Sequence, residues 1–157
     1  GTADPAYIAA AIKAMRTSNK PAAEAMVAVG VNAATDVTGF GLVGHLGGMM
    51  KASDTTARVS MAAIPLLPGV RELADSAFSG GTRRNHEAAA KVVRWHDDLT
   101  LEDQLILCDA QTSGGLVLSV ASGKADALLA ELTGRGVLGI VIGDVVANTG
   151  VQIEAGL

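Results

Sequence analysis

The chain has 157 residues, with 12 Lys and Arg against 16 Asp and Glu (net charge −4), 49% apolar and 18% charged residues, 19 glycines and four aromatic residues. It is too apolar for a disordered chain and too acidic for an evident nucleic-acid binder, and it holds no apolar run near the ~18 residues that a membrane span requires. The single cysteine, Cys108, excludes an intramolecular disulfide and a thiolate zinc cluster; with no signal-peptide pattern at the start, a cytoplasmic setting is expected.

The length predicts one domain, with a core built from Ala, Val, Leu, Ile and Met. Asp4-Pro5 reads as an N-cap followed by proline at the first helical position, opening a helix through Tyr7, Ile8, Ile12 and Met15 that stops near Ser18-Asn19. Pro21 starts a second helix that closes at Gly30, and residues 32–37 read as a strand. A glycine-rich stretch leads into a helix over about 41–52, followed by a strand over 57–62 that ends before Pro65. Residues 70–78 form a short helix with Arg71, Glu72 and Asp75 outward. Residues 85–96 fit either a helix, through their alanines, or a strand, through Val92, Val93 and Trp95. Thr100 with Asp103 has the spacing of a capping box for a helix through Leu107, and 116–120 is a strong strand. Ser122 is expected to cap a helix through Leu128, Leu129 and Leu132. Residues 137–146 and 151–153 read as two strands, joined as a hairpin over Asn148-Thr149-Gly150. The alternation predicts a layered α/β (α+β) domain, with a mixed sheet flanked by helices.

Ten glycines sit at ordinary turn and cap positions; the other nine mark three polar clusters. In the first, Thr35–Leu46, a strand ends at an acidic residue and glycine-rich backbone enters a helix. Three roles remain open there: backbone N–H groups receiving an anion, Asp36 holding a hard cation such as Mg²⁺, or Asp36 or Thr38 capping the helix while the glycines permit close packing. The second, Gly80–His86, offers Arg83 and Arg84 either to phosphate or to solvent. The third, Cys108–Leu116, is a hydroxyl-rich loop before a buried strand, suited to lining a phosphate cleft or to a tight turn closed by Asp109. Cys108, among apolar neighbours and beside Asp109, reads as a buried small hydrophobe with a raised pKa rather than a nucleophile. His45 reads as a packed histidine and Trp95 as a half-buried anchor. His86 and His96 have no evident triad partners, and Met49-Met50 is expected in the core.

In this order the segments TDVTGFGLVGHL (35–46), GTRRN (81–85) and LCDAQTSGGL (107–116) resemble the signatures of the selenophosphate synthetase (selenide, water dikinase) family, within the aminoimidazole ribonucleotide synthetase-like superfamily. The stretch Ser18-Asn19-Lys20 and Ala22-Ala23-Glu24 resembles the helices leading into the first signature. One departure stands out: the family usually has proline where Ala110 lies. The resemblance covers essentially the whole chain but only the C-terminal half of the family's polypeptide.

The resemblance implies the C-terminal domain of an enzyme that uses ATP and water to phosphorylate selenide, giving selenophosphate, AMP and phosphate. It implies Mg²⁺ as cofactor, with Asp36 as a metal ligand at the domain interface. Thr35, Thr38, Gly39, Gly41, His45, Thr82, Asn85, Gln111, Thr112 and Ser113 are expected to shape the same cleft, without individual roles. The reactive Cys or selenocysteine and most nucleotide contacts are expected in the N-terminal domain, so residues 1–157 alone should be inactive. Its partners would be ATP, selenide and that N-terminal domain, in a full-length homodimer, with no nucleic acid and no membrane. The start at Gly1-Thr2 without Met fits a piece of a longer chain. Two other readings stay open: another ATP-dependent phosphotransferase of the superfamily, or a stand-alone non-catalytic binding domain.

Overall fold

A computed structural model describes residues 3–157, the side chains of Asp75 and Ser76 excepted; the outward placement expected for Asp75 therefore lies outside the described residues. Among the described residues, seven α-helices and six strands follow in chain order: α1 (Pro5–Arg16), α2 (Lys20–Val29), β1 (Ala33–Asp36), α3 (Gly41–Ser53), β2 (Thr55–Ser60), α4 (Val70–Ala77), α5 (Gly80–Ala89), β3 (Val93–Trp95), α6 (Leu101–Leu107), β4 (Leu116–Ser119), α7 (Ala125–Gly134), β5 (Gly143–Ala147) and β6 (Ile153–Gly156). The caps behave as the sequence predicts at two helix starts. Asp4 accepts from the Ala6 N–H at 2.7 Å, and Thr100 and Asp103 close a reciprocal capping box on α6. Residues 85–96 contain both alternatives, the end of α5 and then β3.

The strands form two sheets. β1 and β4 pair antiparallel, with Asp36 opposite Leu116. The larger sheet runs β3-β6-β2-β5, with β2 antiparallel to β5 and parallel to β6. The main core lies between this mixed sheet and α3, α5 and α6, around Met50, Val43, Leu46, Val59, Ile153 and Leu107. Each fully buried side chain of this size contributes about 1.5–3 kcal/mol. A second cluster packs α2 and α7 against the small sheet through Ala22, Ala25, Leu128 and Leu132. Among the described residues no helix is long and apolar enough to cross a membrane.

Three expectations need correction. Residues 148–150 do not close a hairpin, because β5 and β6 lie on opposite edges of β2. The connection is pulled across the end of β2 by the buried Thr56, whose hydroxyl donates to the Val151 carbonyl at 2.6 Å and accepts from the Thr149 N–H at 3.0 Å. Residues 137–142 are not strand: they peel away so that Gly139 packs on Leu129 and Leu132 of α7. Ser122 does not cap α7; it begins a 3-10 turn (Ser122–Lys124) that runs straight into the helix.

Candidate functional site

β1 carries the chain outward to Asp36, and the next residues are locked to the loop before β4. The Val37 N–H donates to the Gly115 carbonyl, the Gly114 N–H to the Val37 carbonyl, and the Gln111 N–H to the Thr38 carbonyl, each at 3.0 Å. Gly114 has to be glycine for this approach, since a β-carbon there would lie 2.4 Å from the Val37 carbonyl oxygen. Gly41, the first residue of α3, has φ of +68°, and a β-carbon on it would sit 2.6 Å from the Cys108 carbonyl carbon and oxygen. The first and third glycine clusters are therefore one backbone assembly, folded against itself where side chains would not fit.

The second cluster clamps that assembly. Gly80 and Gly81 form the first turn of α5, not a loop, because the Ser79 hydroxyl caps the helix by accepting from the Thr82 N–H at 3.1 Å. From the inner face of α5, Asn85 Nδ2 donates to the Gly39 carbonyl at 2.9 Å and to the Cys108 carbonyl at 3.1 Å. Thr82 is fully buried, and its hydroxyl donates to Asp109 Oδ1 at 2.6 Å. Gln111 Nε2 donates to the Asp109 carbonyl oxygen at 3.2 Å. The Ala110 N–H, which a proline would lack, lies 3.5 Å from the Thr82 hydroxyl.

All eleven residues singled out in the sequence thus lie on three segments that meet, but they meet in different states. Thr82 and Asn85 spend their donors inside the assembly. The Thr38 hydroxyl is 3.0 Å from His45 Nε2, and the His45 ring stands 5.6 Å from that of Phe40, so His45 is more engaged than a simple packed histidine. The Thr35 hydroxyl donates to the Asp36 carbonyl. Asp36, Thr112 and Ser113 are exposed, and their side-chain oxygens have no hydrogen-bond or ion-pair partner among the described residues. Neither Asp36 nor Thr38 caps α3, whose N-cap is Phe40.

A metal at this site would find one free carboxylate, that of Asp36. The described residues hold no group of three or more His, Cys, Asp or Glu placed to bind a metal. A single exposed carboxylate suits Mg²⁺, which takes one or two protein carboxylates and completes its shell with water and phosphate oxygens. Cys108 is fully buried, and burial pushes its thiol up to about 12, which removes it as a nucleophile at neutral pH. Desolvation raises it, and not Asp109, whose carboxylate is turned to Thr82.

Three contributors had little sequence signal: Asp109 as the acceptor for a threonine 27 positions earlier, Ser79 as cap, and Asn19, whose Nδ2 donates to the Gly114 carbonyl at 2.9 Å. A groove of about 460 Å³ lies elsewhere, on the outer face of the large sheet, lined by Arg58, Arg94, Asp144 and Glu154. Its charges largely cancel, because Glu154 accepts from Arg58 at 3.0 Å and from Arg94 at 2.5 Å.

This fold and loop assembly define a domain class: residues 8–156 match the family model "AIR synthase related protein, C-terminal domain", and the chain belongs to that family. Its relatives narrow the class. The chain is 39% identical over 140 residues to the "Selenide, water dikinase" of Carboxydothermus hydrogenoformans, covering 88% of this chain and 40% of the relative. It is 40% identical over 149 residues to that of Paraburkholderia xenovorans (94% and 42%), and 44% over 113 residues to that of Burkholderia ambifaria (71% and 32%). The chain therefore spans about 40% of the length of the first two relatives. A solved thiamine-monophosphate kinase from Stenotrophomonas maltophilia aligns over 78% of this chain and 31% of its own, at 21% identity and a TM-score of 0.47, too slight a likeness to bear on function.

Proposed function

We propose that this chain is the C-terminal domain of a selenide, water dikinase, and that it supplies part of an Mg–ATP cleft completed by the rest of the polypeptide. The observation that carries the reading is the convergence of the three signature segments, clamped by Asn85 on the Gly39 and Cys108 carbonyls, in a chain about 40% identical to proteins named selenide, water dikinase. The full-length reaction would convert ATP, selenide and water to selenophosphate, AMP and phosphate, with the enzyme as a homodimer.

In this reading each residue does a limited job. Asp36 offers its exposed carboxylate to Mg²⁺, which when bound neutralises charge on the phosphates of ATP. Thr112 and Ser113 present free hydroxyls at the same rim. Asn85, and Thr82 through Asp109, hold the two loops at fixed separation, so that the free groups are set before substrate arrives. His45 fixes the Thr38 hydroxyl. The one thiol among the described residues is buried and protonated, so in this reading the nucleophile comes from the rest of the polypeptide.

The test is a chimera in which this chain replaces the segment that it matches in the Carboxydothermus hydrogenoformans relative. Selenide-dependent AMP formation is expected, falling at least about a hundredfold in Asp36→Ala. A folded chimera that forms AMP at the same rate with and without selenide sinks the dikinase reading. In the 157-residue chain alone, calorimetry with Mg²⁺ and ATP should show weak binding or none. Tight nucleotide binding unaffected by Asp36→Ala would mean that the site lies elsewhere.

A further inference from the structure

Helix α1 departs from the pattern of the other long helices. α2, α3, α5 and α7 each bury residues against a sheet or a neighbouring helix, whereas α1 buries none along its 12 residues. Its apolar side chains are nonetheless in register. Ile8, Ile12 and Met15, spaced four and three apart, share one face and are 49%, 45% and 42% exposed. A surface helix ordinarily turns such a stripe inward, and a contiguous exposed one marks an interaction site.

The helix is nevertheless anchored near its start, and the link that follows it is tied down. The Tyr7 ring lies flush on Gly69, where a β-carbon would come within 2.2 Å of it. Beyond the C-terminal end, Asn19 donates to the Gly114 carbonyl, in the loop that carries Gln111, Thr112 and Ser113. A helix anchored near its start and followed by a tethered link, with its apolar face outward, presents that face as a surface.

We infer that the Ile8–Ile12–Met15 face is the docking surface for the part of the polypeptide that the relatives carry outside this domain. The inference rests on the reading of the chain as the C-terminal domain of a longer enzyme. Two findings select this occupant. About 60% of the length of the Carboxydothermus and Paraburkholderia relatives lies outside the match, and the matching family is described as a C-terminal domain, so its members have chain that enters from the side of α1. The charges add chemistry: α1 has no acidic residue, and Lys13 and Arg16 lie in its last turn, to one side of the stripe. The covering surface should therefore be apolar at its centre and acidic at its rim. Through Asn19 and Gly114 that body would border the loop bearing Thr112 and Ser113.

Hydrogen exchange tests this without relying on turnover. The α1 amides should exchange at least roughly tenfold more slowly in the chimera than in the 157-residue chain, and Ile12→Glu in the chimera should abolish the difference while leaving α3 protection unchanged. Equal α1 exchange in the two proteins overturns the inference. Concentration-dependent dimerisation of the 157-residue chain, removed by Ile12→Glu, would assign the stripe to a second copy and overturns it as well. If the first chimera does not fold, the same comparison with the Paraburkholderia xenovorans relative decides. Protection of α1 without selenide-dependent AMP formation keeps the docking surface and removes the dikinase reading; turnover without protection does the reverse.

Discussion

The clamp between α5 and the third signature segment makes the sharpest prediction. Thr82→Val keeps the shape of a fully buried side chain and replaces only its hydroxyl, so the cavity term is small. What is lost is a 2.6 Å donor to the Asp109 carboxylate. Hydrogen bonds to charged groups contribute about 1.5–3 kcal/mol. Asp109 is half-buried, so water replaces part of the bond, and the expected loss is about 1.5–2 kcal/mol. That is roughly a 10- to 30-fold fall in the folding equilibrium constant. Urea unfolding followed by Trp95 fluorescence should show a lower midpoint with an unchanged slope. A double-mutant cycle with Asp109→Ala should return a coupling of about 1–2 kcal/mol, since the two groups touch. A loss below about 0.5 kcal/mol, or strict additivity in the cycle, would refute the argument that this pair holds the two segments together.

The backbone assembly predicts a contrast between neighbouring glycines: Gly41→Ala should destabilise by about 2–5 kcal/mol, from left-handed backbone and a clash with Cys108, while Gly39→Ala, which meets nothing within 4 Å, should stay within about 0.5 kcal/mol. Equal thermal midpoints for the two would contradict the close approach. Asp103 predicts a pH dependence. Its burial opposes ionisation, but hydrogen bonds from Thr100 and the Arg71 guanidinium outweigh it and hold the carboxyl below the usual range. The folded state thus binds this proton less readily than the unfolded chain. The stabilisation is complete above the unfolded pKa, near 3.9, and is lost as pH falls through the lower folded value. The stability gap between the parent chain and Asp103→Asn should be constant from pH 7 to about 5 and shrink below about 4. A gap unchanged at pH 3 would show that the ionised carboxylate is not what stabilises α6.

The local elements were legible because their determinants are local. Asp4 before Pro5, and Thr100 with Asp103, satisfy backbone groups within a few residues, so the sequence suffices to place those helix starts. Ser122 satisfies the same composition rule, yet there the backbone enters a 3-10 turn first, and the N-cap of α7 falls on Lys124, which makes no side-chain cap. The hairpin expected over residues 148–150 failed for a longer-range reason. Turn chemistry describes the turn, while the strand that fills the gap, β2, comes about 90 positions earlier and is held there by Thr56.

The candidate site divides in the same way. Three glycine-rich polar segments, a strand that ends at Asp36 and the resemblance to one family can all be read from the string of residues. Composition and spacing are properties of the string, and they survive any folding. Which of those polar groups are free depends on how the segments pack. Thr82 and Asn85 look as available as Thr112 and Ser113 in the sequence, but folding places α5 against both loops and commits their donors to Asp109, Gly39 and Cys108. It likewise turned the stripe of α1 outward, although its periodicity is that of a buried helix. Periodicity records that a helix has an apolar face; what that face meets depends on the body packed against it, and nothing within one helix encodes that body.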